Sequence, residues 1–148
     1  MLREYPNHCI LRTGVVFSWH PEGKNFFMQT YNKMKASEDM KVVDDQISNP
    51  TYAPYLVEAI LRVAEKDIVG TFNATGLETL NRFDFALAIA TAFDLDAVKI
   101  ARAKTTDFPI KAERPMNNGT DSHALYVAID WEFPKLSVAF DDIKTVYE

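Results

Sequence analysis

Apolar residues along this chain alternate between a strand-like and a helix-like spacing. Cys9 to Phe17 is almost continuously apolar, broken only by Arg12, Thr13 and Gly14, and predicts a strand buried on both faces. Pro21 and Gly23 mark the loop that follows. From Asn25 the period lengthens: Phe27, Tyr31 and Met34 fall at i, i+4 and i+7 and so share one face of a helix. Val42 and Val43 form a short second strand. Asn49-Pro50-Thr51 then opens a second helix, capped by Asn49 or Thr51, with Pro54 tolerated in its first turn. The expected buried stripe of that helix is Leu56, Val57, Ile60, Leu61 and Ala64. Gly70 ends the unit, and Thr71–Ala74 is a third strand closed by Gly76. Asn81, with Asp84 three residues on, starts a third helix whose apolar face is Phe85, Ala88, Ile89, Ala92 and Phe93.

Beyond Val98–Ile100 the pattern weakens. Residues 105–120 are polar and carry Pro109, Pro115 and Gly119, as expected of an ordered loop or short irregular segments. Val127–Ile129 is read as a strand, and Leu136–Val146 as a strand or a helix. Strands alternating with helices indicate an α/β fold. With 148 residues and no linker, repeat or low-complexity tract, residues 1–148 are expected to form one domain.

Composition narrows the function classes. The chain is 47% apolar and 25% charged, in the range of ordinary globular proteins. A net charge of −5 disfavours nucleic acid and anionic membranes as partners, while leaving room for a local basic pocket. Cys9 is the single cysteine, so neither an intrachain disulfide nor a multi-cysteine metal site can form. No apolar run approaches the roughly 20 residues of a membrane span, and Met1–Pro6 lacks the apolar core of a signal peptide. A cytoplasmic location is the expectation.

Several chemistries are excluded by spacing. The glycines, Gly14, Gly23, Gly70, Gly76 and Gly119, never fall at the close G-x-G spacing that lets a backbone approach a pyrophosphate, so no dinucleotide fingerprint or P-loop is present. His8, His20 and His123 have no partner at metal-ligand spacing. Tyr31 and Lys35 match a Tyr-x-x-x-Lys pattern, but Tyr31 lies on the apolar helix face and is read as a core aromatic. Asp44 and Asp45 are adjacent in an extended segment and point to opposite sides, so they do not converge on one atom. For Asp45 and Gln46, capping of the Ser48-Asn49-Pro50 turn and lining of a pocket both stand. Arg114 is the leading anion-binding candidate, with a surface salt bridge to Glu113 or a neighbour as the alternative. Its planar guanidinium forks onto phosphate oxygens, and Pro115 behind it holds the backbone extended. Arg102, Lys104 and Lys111 add positive charge nearby in sequence.

Read in order, Leu11-Arg12-Thr13, Gly23-Lys24-Asn25-Phe26, Val42-Val43-Asp44-Asp45-Gln46 leading into Asn49-Pro50-Thr51-Tyr52, Gly70–Gly76, Arg114-Pro115-Met116-Asn117 and Asp121-Ser122 with Leu125 resemble the C-terminal half of dTDP-4-dehydrorhamnose reductases, members of the extended short-chain dehydrogenases. The resemblance implies the C-terminal, substrate-pocket portion of that fold, with short, mostly parallel strands and alternating helices. It departs from the family where Gly14-Val15 replaces a Ser-Trp pair and Ala124 replaces a lysine. In the intact family the reaction is NADPH-dependent reduction of a 4-keto sugar on a nucleoside diphosphate, and the missing N-terminal half carries the dinucleotide site and the catalytic Tyr/Lys pair. The resemblance therefore implies a truncated oxidoreductase, inactive alone and binding no cofactor itself, with no catalytic residue in this chain. By the same resemblance Asn25, Asp45, Gln46, Arg114 and Trp19 border the nucleotide sugar, and Thr13 lines the nicotinamide side. It also implies weak nucleotide-sugar binding, and either a homo-oligomer or assembly with a complementary N-terminal half. A non-catalytic regulatory module similar to the β subunit of methionine adenosyltransferase is the alternative.

Overall fold

The computed structural model describes residues 4–20, 22–109 and 112–147. Strands β1 (Cys9–Arg12) and β2 (Val16–Phe17) precede helix α1 (Phe26–Lys35) and strand β3 (Met40–Val43). Strands β4 (Ile47–Ser48) and β5 (Thr51–Tyr52) lead into helix α2 (Ala53–Glu65). Strands β6 (Gly70–Asn73) and β7 (Leu80–Asn81) are followed by helix α3 (Arg82–Ala92) and strand β8 (Ile100–Ala103). A 3-10 turn at Thr105–Asp107, strand β9 (Asn117–Asn118), and helices α4 (His123–Ile129) and α5 (Leu136–Tyr147) complete the described chain. The ladders are short: β1 with β6, β2 with β5 and β3 with β8 are parallel, while β4 runs antiparallel to β7 and parallel to β9.

Local sequence accounts for the helix starts. Asn25 caps α1, its Oδ1 accepting from the Met28 amide at 3.1 Å, and its Nδ2 donates to the Ser18 carbonyl at 2.8 Å. Asn81 caps α3 in the same way, accepting from the Asp84 amide at 2.8 Å and donating to the Asp84 carboxylate at 2.7 Å. Glu78 accepts from the Leu136 amide at 3.0 Å and so begins α5 from across the fold.

Two apolar cores result. The first lies among α1, α3 and α5 and is dominated by rings: Phe17 sits 5.6 Å from Phe27 and 5.4 Å from Phe85, with Phe93 and Phe140 in the same cluster. Here the helical spacing predicted the outcome, since Phe27, Tyr31 and Met34 are all buried. The second core joins α2, β6 and α4 through Ala59, Val63, Ala74, Leu125, Ile129 and Phe133.

Three expectations are corrected. The apolar run from Cys9 to Phe17 is two strands, because Val15 adopts a left-handed backbone (φ 48°) and turns the chain between them. A β-branched residue there is strained. Cys9, Ile10 and Leu11 are only half-buried: Cys9 and Leu11 pack against the core under α2, and Ile10 points to the opposite face. Helix α2 starts two residues after Thr51, with no side-chain cap, and it buries a different face from the expected one. Ala59 and Val63 pack inward, whereas Val57, Ile60 and Leu61 stand 54%, 50% and 52% exposed. Periodicity locates the apolar arc of a helix but not which part of that arc this chain covers. Val127–Ile129 belongs to helix α4: Leu125, Tyr126 and Ile129 point inward, Val127 outward, and Asp130 ends the helix in the left-handed conformation.

A polar clasp holds the two halves of the fold at their crossing. Buried Asn49 donates from Nδ2 to the Gly76 carbonyl at 2.9 Å and accepts at Oδ1 from the Thr120 amide at 2.9 Å. The Thr51 hydroxyl donates to the Asn49 carbonyl and accepts from the Gly76 amide, both at 3.1 Å. The Ser122 hydroxyl receives the Thr75 amide at 3.0 Å, and Tyr126 donates to the Thr75 carbonyl at 2.6 Å. Gly76 is obligatory at this crossing: a Cβ there would lie 2.0 Å from the Pro50 carbonyl oxygen. Gly76→Ala should therefore cost more than about 2 kcal/mol by overpacking against rigid backbone. Urea denaturation checks this, and a variant within a few tenths of a kcal/mol of wild type would refute the close approach.

Candidate functional site

Two cavities open on the elements that the clasp aligns. The first, of about 420 Å³, is lined by Phe26 at the start of α1, Lys41, Val42 and Val43 of β3, Gln46, Arg82 at the first position of α3, and Thr105, Phe108 and Arg114 beyond β8. The second, of about 480 Å³, lies at the carboxyl ends of the parallel pair β1 and β6, where Arg12 registers with Asn73. Crevices at such strand ends are where open α/β sheets bind ligands. Its walls carry hydroxyls and amides from Thr13, Ser48, Asn49, Thr75, Asn118 and Thr120.

The first cavity is cationic for a specific reason. Among the described residues, neither Arg82 nor Arg114 lies within ion-pair distance of a carboxylate. The neighbouring bases are neutralised: Lys104 reaches Asp44 at 2.8 Å, and Arg102 reaches Asp44 at 3.4 Å and Asp84 at 4.0 Å. The Lys104 hydrogen bond, reinforced by Arg102, holds the Asp44 carboxyl below its ordinary range. Arg82 lays its guanidinium 4.9 Å from the centre of the Phe26 ring, which is itself stacked on Phe85 at 5.5 Å. Loss of solvent, and then the like charge of Arg114, push the Arg82 pKa below its ordinary value.

The expected site residues divide between these places. Gln46 and Arg114 line the first cavity and Thr13 the second. Asp45 points to the wall instead of the Ser48-Asn49-Pro50 turn, accepting from the Thr105 amide at 3.0 Å and the Thr105 hydroxyl at 2.8 Å. The same hydroxyl accepts from Gln46 Nε2 at 2.9 Å, so Thr105 fixes both side chains. Asn25 spends its amide on the α1 cap and borders neither cavity. Trp19 packs edge-on against Tyr31 at 5.1 Å and stacks on Tyr147 at 6.0 Å, outside both cavities. Tyr31 is buried on the core face of α1, where Lys35 donates to its hydroxyl at 3.3 Å.

Sequence reasoning overlooked Arg82 and Phe26. A usable signal existed, since a cation at the first position of a helix opposes the positive end of the helix dipole. Such a placement calls for a compensating anion. The described residues lining the two cavities include no carboxylate, histidine, cysteine or tyrosine; their ionisable side chains are Arg12, Lys41, Arg82 and Arg114.

The amide and hydroxyl of Thr105 hold the Asp45 carboxyl below its usual range. A depressed folded pKa adds stability above the unfolded value of about 3.9 and loses it as pH falls through the folded one. Thr105→Val removes the hydroxyl contribution, so the melting temperature of the variant should fall less between pH 7 and pH 3 than that of wild type. An unchanged acid slope in paired thermal scans would show that Asp45 gains nothing from Thr105.

Comparison with known proteins assigns these features to a family. Residues 1–142 match the family model described as the RmlD substrate binding domain. The dTDP-4-dehydrorhamnose reductase of Aggregatibacter actinomycetemcomitans is 33% identical, over 86% of this chain and 48% of its own length. The crystal structure of dTDP-4-dehydrorhamnose reductase from Yersinia enterocolitica is 25% identical and superposes with a TM-score of 0.83, covering 95% of this chain and 50% of that one. The Bacillus anthracis enzyme of the same name, solved in complex with NADP, is similar in fold with a TM-score of 0.82 at 22% identity, covering 93% of this chain and 48% of that one. The chain thus spans about half the length of the relatives it matches. Its fold is that of the extended short-chain dehydrogenases, and the chain belongs to the RmlD substrate binding domain family.

Proposed function

We propose that residues 1–148 form one substrate-binding domain that holds a nucleoside-diphosphate sugar for reduction by a cofactor-bearing half. The observation that carries this reading is the 420 Å³ cavity with Arg114 on its wall and no carboxylate to neutralise it among the described residues. Arg114 binds the diphosphate through charge-assisted hydrogen bonds, and Gln46, fixed by Thr105, presents its remaining polar atoms to the ligand. The hydroxyl- and amide-lined second cavity receives the sugar, with Thr13 on the side where the nicotinamide arrives. In the assembled reductase NADPH supplies the hydride, and this chain contributes binding and orientation. A cytoplasmic location suits that chemistry; no helix among the described residues is long and apolar enough to cross a membrane.

Nucleotide sugars should bind this chain weakly, because the other half completes desolvation and preorganisation. In one thermal-shift series with dTDP- and UDP-sugars, Arg114→Ala should abolish the shift and leave the unliganded melting temperature within about 1 °C, since an exposed arginine contributes little to stability. The chain alone should neither bind NADPH at micromolar levels nor transfer hydride. No shift with any sugar nucleotide would favour the regulatory module, and hydride transfer by this chain alone would overturn the division of labour.

The cofactor half has a matching surface to dock on. Val57, Ile60 and Leu61 form an exposed stripe on α2, and a cavity of about 530 Å³ between Cys9 of β1 and Ala64 of α2 continues it towards the half-buried strand. Relatives of twice this length carry the additional half that such a stripe would cover. Mixing the chain with the separately expressed N-terminal half of the Aggregatibacter relative should give a 1:1 complex by light scattering. Substituting Val57, Ile60 and Leu61 together with serine should abolish it without lowering stability. Self-association through the same stripe would make this face a homo-oligomer contact instead.

A further inference from the structure

We infer that Arg82 and Arg114 form a two-guanidinium clamp that selects ligands with two linked phosphoryl groups over those with one, and that Phe26 is the backstop that aims Arg82. The inference rests on the nucleotide-sugar reading only for the identity of the ligand. The clamp itself follows from placement. The two arginines come from separate elements, the start of α3 and the loop before β9, and converge on one cavity. Arg82 is half-buried and makes no side-chain hydrogen bond or ion pair among the described residues, yet it lies beside a second cation. Among the described residues its guanidinium is faced by the ring of Phe26 at 4.9 Å.

A desolvated guanidinium left unpaired next to another opposes folding, and its position at a helix N-terminus adds a repulsive dipole. Nearby Arg102 shows the ordinary arrangement: its charge is balanced by Asp44 and Asp84 while it packs 4.1 Å from the centre of the Phe83 ring. Arg82 has the ring and, among the described residues, lacks the acids. An incoming anion supplies what is missing. One tetrahedral phosphoryl group fills one guanidinium fork, so two forks in one cavity are complementary to a diphosphate, whose charge is spread over two phosphorus centres. Lys41 on the same wall adds a point charge without a fork. The arrangement trades stability of the free protein for affinity, as binding sites do.

The test is calorimetric titration of the full chain and its Arg82→Met variant with dTDP, dTMP and inorganic pyrophosphate, together with the unliganded melting temperatures. Methionine keeps the length that covers Phe26 and removes the charge. Wild type should bind dTDP and pyrophosphate more tightly than dTMP. Arg82→Met should weaken dTDP about ten- to a hundredfold, the loss expected for hydrogen bonds to a charged group, and bring dTDP and dTMP close to parity. The unliganded melting temperature of Arg82→Met should equal or exceed that of wild type. Arg82→Lys, which keeps charge without the fork, should lose most of the preference for dTDP over dTMP. Unchanged dTDP affinity in Arg82→Met, or a lowered melting temperature of that variant without ligand, overturns the clamp while leaving the nucleotide-sugar reading in place. Pyrophosphate binding without nucleotide binding keeps the clamp and removes that reading. Binding of neither removes both.

Discussion

The arrangement of this domain depends on a backbone crossing at which the Pro50 carbonyl and Gly76 approach too closely for any side chain. Around it, Asn49 and Thr51 satisfy backbone groups of two other segments, and Thr75, Ser122 and Tyr126 extend the network to α4. Buried polar networks of this kind are costly when incomplete and specifying when complete. Asn49 is used at both ends of its amide, with Nδ2 also reaching the Thr79 hydroxyl at 3.2 Å. Asn49 and Thr75 of this network also line the polar cavity, so residues that specify the fold also shape its wall.

Much of the architecture was legible from local chemistry. The spacing of Phe27, Tyr31 and Met34 announced one helix, and Asn81 another, because an amide side chain ahead of an apolar period has an obvious use there; the cap by Asn25 shows only in the structure. The α/β class followed from the order of elements, and the segments around Arg12-Thr13, Gly70–Gly76 and Arg114-Pro115 carried the family. What failed to show was decided by long-range contact. Apolar positions on α2 describe an arc wider than the face the described residues cover, and periodicity does not say which part of it that is. The segment at Val127–Ile129 is too short for its period to separate strand from helix. Asp45 was ambiguous because its partner, Thr105, lies sixty positions away.

The candidate site was legible in the same uneven way. Arg114 stood out since it sits before a proline in a polar stretch, where a core role is excluded. Arg82 is masked in the sequence by its neighbour, since Asn81 alone accounts for the start of the helix. Its meaning appears only when the ring of Phe26 and the charge of Arg114 are placed around it. The ion pairs that silence Arg102 and Lys104 are equally invisible in sequence, and without them the cavity would be a diffuse basic patch with no focus.

The left-handed turn at Val15 has a consequence for how the domain breathes. On one side of it β1 is bonded to β6, and on the other β2 is bonded to β5. No ladder runs through the turn, so the two ladders are not one continuous sheet; the bonds of Asn49 and Thr51 to Gly76 tie them together, and those side chains bear the relative motion of the ladders. The polar cavity, whose wall includes Val15, lies on the seam between them, where small relative displacements change its width most.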